Sequence, residues 1–319
     1  MPTPTLQLKV ARVSQLTADI TSFRLEPHQQ GSIPAFSAGA HIDVHLPGGL
    51  IRQYSLCNCP NEPDHYLIAV KRELNSRGGS KAMHEVTPGS TLMIGPPRNN
   101  FPIRDEADFH LLLAGGIGVT PLLSMARHLQ HANKPFQLEH FGRSADSIPF
   151  SELMKNELGA RVSFNIGLEP HDVSNRMASI LCNRSAEAHV YICGPSPFIT
   201  MATEIASRNW PASCIHLEHF SPLQNPNGVD NRPFRIVLAQ SKREFDVPAD
   251  KSIVDVLIEN NVTCDFSCRE GTCGSCMVTV LDGKIEHRDS YLTASEREQG
   301  EVMMICVSRA RHSELTIDL

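Results

Sequence analysis

Cys268, Cys273 and Cys276 stand in the spacing C-x4-C-x2-C, and Cys306 follows after 29 intervening residues. This pattern constrains the chain more than any other feature. Three thiolates from one short loop and a fourth from a distant segment suit a two-iron cluster, and the spacing is the plant-type [2Fe-2S] one. A loop that wraps such a cluster must turn tightly and aim N–H groups at sulfur, which favours Gly271 and Gly274. Structural zinc sites usually pair two C-x2-C hooks, and only one is present. Disulfides are disfavoured in a reducing cytosol. Cys264 lies just outside the spacing and reads as a small buried residue. The other five cysteines, Cys57, Cys59, Cys182, Cys193 and Cys214, are scattered.

The 319 residues are enough for two or three domains. Residues 1–104 contain short β-like runs (LQLKVARVSQ, SFRLEP, HIDVHLP, HYLIAVKRE, TLMIGPP) separated by Gly, Pro, Asn and Ser, a pattern that suggests an antiparallel barrel. Residues 105–223 alternate apolar runs with helical spacing over 121–131, 149–158 and 197–207. Such alternation predicts an α/β domain with a parallel sheet. Residues 224–233 are rich in Pro, Asn and Gly and read as a linker. Residues 234–319 form a small α+β domain with a helix over 253–260 and the cysteine loop.

Apolar residues make up 41% of the chain, so each domain can bury a core. The net charge of −6 argues against a nucleic-acid binder. No run of about 20 apolar residues predicts a membrane span, and the first residues lack a signal-peptide pattern. A cytoplasmic monomer is expected. The last 87 residues carry 15 acidic and 10 basic side chains, so nearly all the excess acidity lies there. That acidity serves either solubility or docking to a basic partner surface.

Three further elements carry chemistry. In HLLLAGGIGVTP, a strand leads through Gly115, Gly116 and Gly118 to a helix opening at Thr120 and Pro121, as a dinucleotide pyrophosphate site requires. The third glycine of G-x-G-x-x-G is absent, so alone this is equally an ordinary turn. Cys193, Gly194 and Pro195 end another apolar run, where ligands of open α/β sheets sit; Cys193 is otherwise a buried structural thiol. In IRQYSL, alternation puts Arg52 and Tyr54 on one face and Ser55 on the other. SRGGSK offers Gly78, Gly79 and Ser80 as an anion nest, or else a surface turn. His216 and His219 flank Glu218 on a predicted strand and read as a hydrogen-bonded edge.

In this order, RxYSL, RGGSxxMH, GGIGVTP, CGP and the cysteine pattern resemble the phthalate dioxygenase reductase family, which includes vanillate demethylase reductase-like proteins. The family lies within the ferredoxin–NADP reductase superfamily and carries a C-terminal ferredoxin of β-grasp type. The resemblance covers essentially the whole chain. It implies that Arg52, Tyr54, Ser55, Val70, Lys71, Gly78, Gly79 and Ser80 hold a flavin in the barrel, with Thr120 and Phe220 lining its ring. It further implies that Gly115, Gly116, Gly118 and Pro121, with Cys193, Gly194 and Pro195, bind a pyridine nucleotide, and that Thr120 and Cys193 act at the hydride step. FMN is favoured over FAD because RGGSxxMH ends at a terminal phosphate. NADH is favoured over NADPH: Arg143 could meet a 2′-phosphate, but Asp146 would repel it.

The expected function is that of a reductase for a Rieske-type aromatic-ring oxygenase or O-demethylase, carrying electrons from NADH through FMN and the cluster. A plant-type cluster near −400 mV feeds Rieske centres downhill. A reductase for a di-iron monooxygenase and a redox-sensing flavoprotein without turnover are the alternatives. The C-terminal ferredoxin argues against the first and the nucleotide loop against the second.

Overall fold

The computed structural model describes residues 5–28, 31–62, 64–74, 78–182, 185, 187–220 and 231–319. Two compact units divide the chain, Met1–Glu218 and His219–Leu319. Residues 224–230 of the expected linker lie outside the described residues.

The first unit opens with strands β1 (Leu6–Gln15), β2 (Ile20–Pro27), β3 (His41–Leu46), β4 (Leu50–Ser55) and β5 (Tyr66–Lys71). The short helix α1 (Gly79–His84) and strand β6 (Thr91–Ile94) follow. The antiparallel order is β4-β3-β6-β1-β2-β5. This sheet curls into a near-barrel: just past β4, the Cys57 N–H donates to the Leu67 carbonyl of β5 at 2.8 Å. Val10, Phe23, Ile42, Ile68 and Ile94 fill its interior.

Five parallel strands come next: β7 (Phe109–Gly115), β8 (Phe136–Gly142), β9 (Val162–Ile166), β10 (Ala188–Cys193) and β11 (Ile215–Glu218). Helices α2 (Val119–His131), α3 (Ser151–Leu158), α4 (Pro170–Leu181) and α5 (Ser196–Ala206) connect them. The order β11-β10-β7-β8-β9 reverses direction between β7 and β10. At such a reversal the two crossovers leave on opposite faces and open a crevice beyond the strand ends. Both glycine-containing turns fall there.

Helix α2 starts two residues before the expected Pro121, because a 3-10 turn over Gly116–Gly118 leads straight into it. Proline is tolerated in that first turn, where N–H groups lack intrahelical partners anyway. Val119, Leu122, Leu123, Met125, Ala126 and Leu129 are all buried. The helix is also bolted to the barrel: Ser124 Oγ donates to the Asn58 carbonyl at 2.9 Å. Arg104, at the junction of the two sheets, is held on both sides of its backbone. Its N–H donates to Tyr191 Oη at 2.7 Å, and His110 Nε2 lies 2.7 Å from its carbonyl oxygen.

The second unit contains β12 (Phe234–Leu238), β13 (Arg243–Val247), α6 (Ile253–Glu259), β14 (Met277–Asp282) and β15 (Ile285–Glu286). Helix α7 (Ala294–Gln299) and strands β16 (Val302–Met304), β17 (Arg309–Ala310) and β18 (Glu314–Ile317) complete it. The mixed sheet β13-β12-β18-β14-β16 packs Ile236, Leu238, Met303 and Ile317 against Ile253 and Leu257 of α6. Ser252 caps α6 in a reciprocal box with Asp255.

Candidate functional site

The cysteine loop runs between α6 and β14. Cys268, Cys273, Cys276 and Cys306 are 2–7% exposed. Arg269, Gly271 and Gly274 all have positive φ, so the chain turns repeatedly within six residues. These turns direct donors at sulfur: the Glu270 N–H reaches Cys268 Sγ at 3.3 Å and the Ser275 N–H reaches Cys273 Sγ at 3.4 Å. Thr272 Oγ1 adds a contact of 3.4 Å to Cys268 Sγ. Such donors stabilise thiolate sulfur. Side chains are excluded where the loop is tightest. A Cβ on Gly271 would sit 3.0 Å from Asp289 Cα, and one on Gly274 would enter the Tyr291 ring.

Cys268 interacts with Cys273 and Cys306, and Cys276 with Cys306. Bonds from Cys273 and Cys306 hold Cys268 far below the usual thiol range, while Cys273 and Cys306 are pushed up. A bond from Cys306 lowers Cys276. Among the described residues, no three His, Cys, Asp or Glu side chains are gathered as a single ion would need. The donor set of four buried thiols, with N–H groups aimed at them, fits an iron–sulfur cluster. Cys264 is half-buried rather than buried and packs at the edge of the core, where burial raises its thiol.

In the first unit, strand β4 carries Arg52 beside the turn before α1. A Cβ on Gly79 would lie 2.6 Å from Arg52 Cγ, so the arginine stem passes directly over that glycine. Gly78 has φ of 100°, a conformation costly for any side chain. Ser80 Oγ accepts from the Glu73 N–H at 3.1 Å. Arg52, Gly78, Gly79 and Ser80 are therefore brought together, and one cationic arm over a glycine turn suits a phosphate. Tyr54 packs at the barrel core, and Ser55 is buried. Val70 turns its side chain into the barrel, and His84 Nε2 lies 3.0 Å from its carbonyl oxygen. Lys71 pairs with Glu73 at 2.9 Å.

The two turns at the sheet reversal pack backbone on backbone. A Cβ on Gly118 would collide with the Cys193 carbonyl and lie 2.5 Å from the Gly194 nitrogen. A Cβ on Gly194 would lie 3.0 Å from Gly115 Cα, and one on Gly115 would lie 3.1 Å from Pro195 Cδ. The glycines thus have a packing reason that needs no third glycine. Thr120 is buried, and its hydroxyl donates to the Ile117 carbonyl at 3.0 Å, inside the loop. Pro121 is buried behind it. Arg143, Ser144 and Asp146 are exposed just past the end of β8. Phe220 belongs to the second unit and is 38% exposed.

Cys193 is fully buried, and burial pushes its thiol well above the usual range, reinforced by neighbouring Glu218. Sequence reasoning read Glu218 only as part of a hydrogen-bonded edge and gave it no role in the site. Glu218 pairs with Cys193 across β10 and β11, and the Ser55 side chain lies beside its carboxyl. Burial raises its pKa to about 8, and Oε2 is enclosed without a hydrogen-bond partner. Three residues from three strands, Ser55, Cys193 and Glu218, so join the barrel motif to the nucleotide turn. The only sequence signal was one carboxylate flanked by His216 and His219 at a strand end. His216, as expected of an edge, meets His189 Nδ1 at 2.8 Å and stacks on Tyr191.

Residues 236–311 match the family of 2Fe-2S iron-sulfur cluster binding domains. Across 98% of the chain and 96% of the relative, it is 39% identical to the phthalate 4,5-dioxygenase oxygenase reductase subunit of Pseudomonas putida. The chain belongs to the phthalate dioxygenase reductase family. The vanillate O-demethylase oxidoreductase of Pseudomonas sp. (strain HR199 / DSM 7063) is 36% identical over 98% of this chain and 100% of that protein. The solved phthalate dioxygenase reductase is described as a modular structure for electron transfer from pyridine nucleotides to [2Fe-2S]. It matches with a TM-score of 0.77 at 36% identity, over 99% of this chain and 98% of that one. As a member of that family, the chain is an NADH-dependent oxidoreductase of the FMN and [2Fe-2S] type. Among the described residues no helix is long and apolar enough to cross a membrane.

Proposed function

We propose that this reductase serves a Rieske-type aromatic-ring oxygenase or O-demethylase, taking electron pairs from NADH and delivering them singly to the oxygenase. The observation that carries the reading is the junction of Ser55 with Cys193 and Glu218. It brings the expected flavin strand and the expected nicotinamide turn to one point. FMN supplies the conversion between two-electron and one-electron transfer, which no side chain in the site can perform.

The chain's own residues bind, orient and exclude water. Arg52 neutralises the flavin phosphate over Gly78, Gly79 and Ser80, while Tyr54, Ser55, Val70 and Lys71 border the ring. The backbone of Gly115–Pro121 receives the pyrophosphate, and Cys193–Pro195 backs the nicotinamide. Thr120 keeps that loop closed through Ile117. Glu218, neutral at pH 7, donates a proton-bearing oxygen next to Cys193 without placing a charge in the hydride path. Arg143 and Asp146 flank the adenosine ribose, where the aspartate disfavours a 2′-phosphate. Cys268, Cys273, Cys276 and Cys306 hold the cluster.

Anaerobic titration of the purified holoprotein with NADH tests this. Bleaching of a flavin band together with a cluster band, FMN released on heating, and turnover with a purified Rieske oxygenase are expected. Colour that NADH leaves unchanged would overturn the electron path. Steady ferricyanide reduction without any Rieske turnover would overturn the partner assignment alone.

A further inference from the structure

We propose that His140 is a positioning residue for the pyridine-nucleotide loop, holding the Gly116 carbonyl so that the following amide is presented to the crevice. The proposal rests on reading residues 115–121 as that loop.

In the β7–β8 ladder, Ala114 stands opposite His140 and Gly115 opposite Phe141. Beyond Gly115, β7 leaves the ladder, and Gly116 turns with φ of +53°. Its carbonyl accepts from the Val119 N–H of the 3-10 turn. The second lone pair has no strand partner, and His140 Nε2 meets it at 2.9 Å. A carbonyl acceptor requires that Nε2 carry the hydrogen. In a neutral ring the other nitrogen is then an acceptor. His140 Nδ1 is buried and has no partner.

That arrangement is costly. An unsatisfied buried polar atom forfeits its solvation without recompense. Phe164 packs beside the imidazole with centroids 6.3 Å apart, so an aromatic hydrocarbon would suit the surroundings. What phenylalanine could not supply is the bond to Gly116. Burial also lowers the His140 pKa to about 4, which keeps the donor in one protonation state near neutrality.

Peptide planarity sets the consequence. The Gly116 carbonyl and the Ile117 N–H belong to one trans unit and point in opposite directions. A carbonyl held by the His140 side chain on one face of the sheet therefore fixes the Ile117 N–H in the opposite direction. Without His140 only the Val119 N–H holds that carbonyl, and the donor is less firmly preset for a phosphate oxygen.

The test compares His140→Phe, His140→Gln and His140→Asn as holoproteins, reading KM for NADH, kcat, NAD+ dissociation constant, Tm and visible spectrum. Phe keeps the ring volume and loses the donor. Gln carries an amide out to about the same reach, and Asn stops short. KM and the NAD+ dissociation constant should rise about tenfold in Phe and Asn and return to within about twofold of the parent in Gln. Flavin and cluster absorption should persist, and kcat should fall less than twofold. Unchanged KM in whichever of Phe and Asn folds, or an equal rise in all three following Tm, overturns the proposal. If the parent protein itself fails to oxidise NADH, the loop assignment fails and this proposal falls with it. A working parent with indifferent variants removes His140 alone.

Discussion

The Ser55 side chain of the barrel lies beside the Glu218 carboxyl of the parallel sheet and opposes the pKa rise that burial causes. This contact lies at the seam between the two halves of the first unit, next to Cys193. The Glu218 carboxyl has a folded pKa of about 8 against 4.5 for an ordinary glutamate. Between those values the folded state holds more protons than the unfolded chain, so stability falls as pH rises. Glu218→Gln removes the titration. Its stability advantage over the parent should grow by up to about 1.4 kcal/mol per pH unit from about pH 5 to 8 and then level off. Urea unfolding at a series of pH values measures this, and parallel curves would show that Glu218 is ionised in the fold.

His140 acts at the other end of the scale. Its folded pKa of about 4 lies below the unfolded 6.5, so the folded state binds fewer protons in that window. Stability should drop as pH falls from 6.5 toward 4, by up to about 3 kcal/mol for this group. The difference in unfolding free energy between the parent and His140→Gln should change with pH only in that window.

Cys273→Ser should abolish the cluster spectrum yet leave NADH-to-ferricyanide activity within about twofold, because the cysteine loop and the nucleotide turns belong to separate compact units. Absorption spectra and initial rates measure both. Loss of both activities together would show that the units do not work independently.

Gly118→Ala should damage nucleotide use, since the added methyl would meet the Cys193–Gly194 peptide. Overpacking of this kind costs about 1–3 kcal/mol. KM for NADH should rise at least tenfold while flavin stays bound. Thr120→Val, which removes the bond to Ile117, and Cys193→Ala should both slow hydride transfer and retain both cofactors. Stopped-flow flavin bleaching separates rate from binding.

Arg52→Ala should release FMN, because no other cation of the expected set lies over Gly79. A tenfold weaker flavin affinity, about 1.4 kcal/mol, is expected for one charge-assisted phosphate contact. Gel filtration followed by the flavin-to-protein absorbance ratio reads it directly.

Much of this was legible in the residues. The cysteine spacing specifies its ligands because a cluster dictates how a loop must turn, and Gly271 and Gly274 stand where turning is tightest. The β/α alternation gives the parallel sheet, because buried parallel strands must be apolar on both faces. Helix α4 escaped notice: Val173, Met177, Ile180 and Leu181 mark one narrow apolar stripe among polar residues. Glu218 and His140 escaped for a different reason. Each matters through a partner distant in sequence, Ser55 in one case and Gly116 in the other. No local pattern encodes such a meeting, and only the sheet order creates it.

The grip on the Arg104 peptide, by Tyr191 on one side and His110 on the other, leaves the hinge between barrel and parallel sheet without slack. With the flavin and nucleotide held as proposed, the gap that a hydride must cross would be set in part by this joint. A substitution that loosened this joint would leave both binding surfaces intact and still slow the chemistry, as a change of distance and not of affinity.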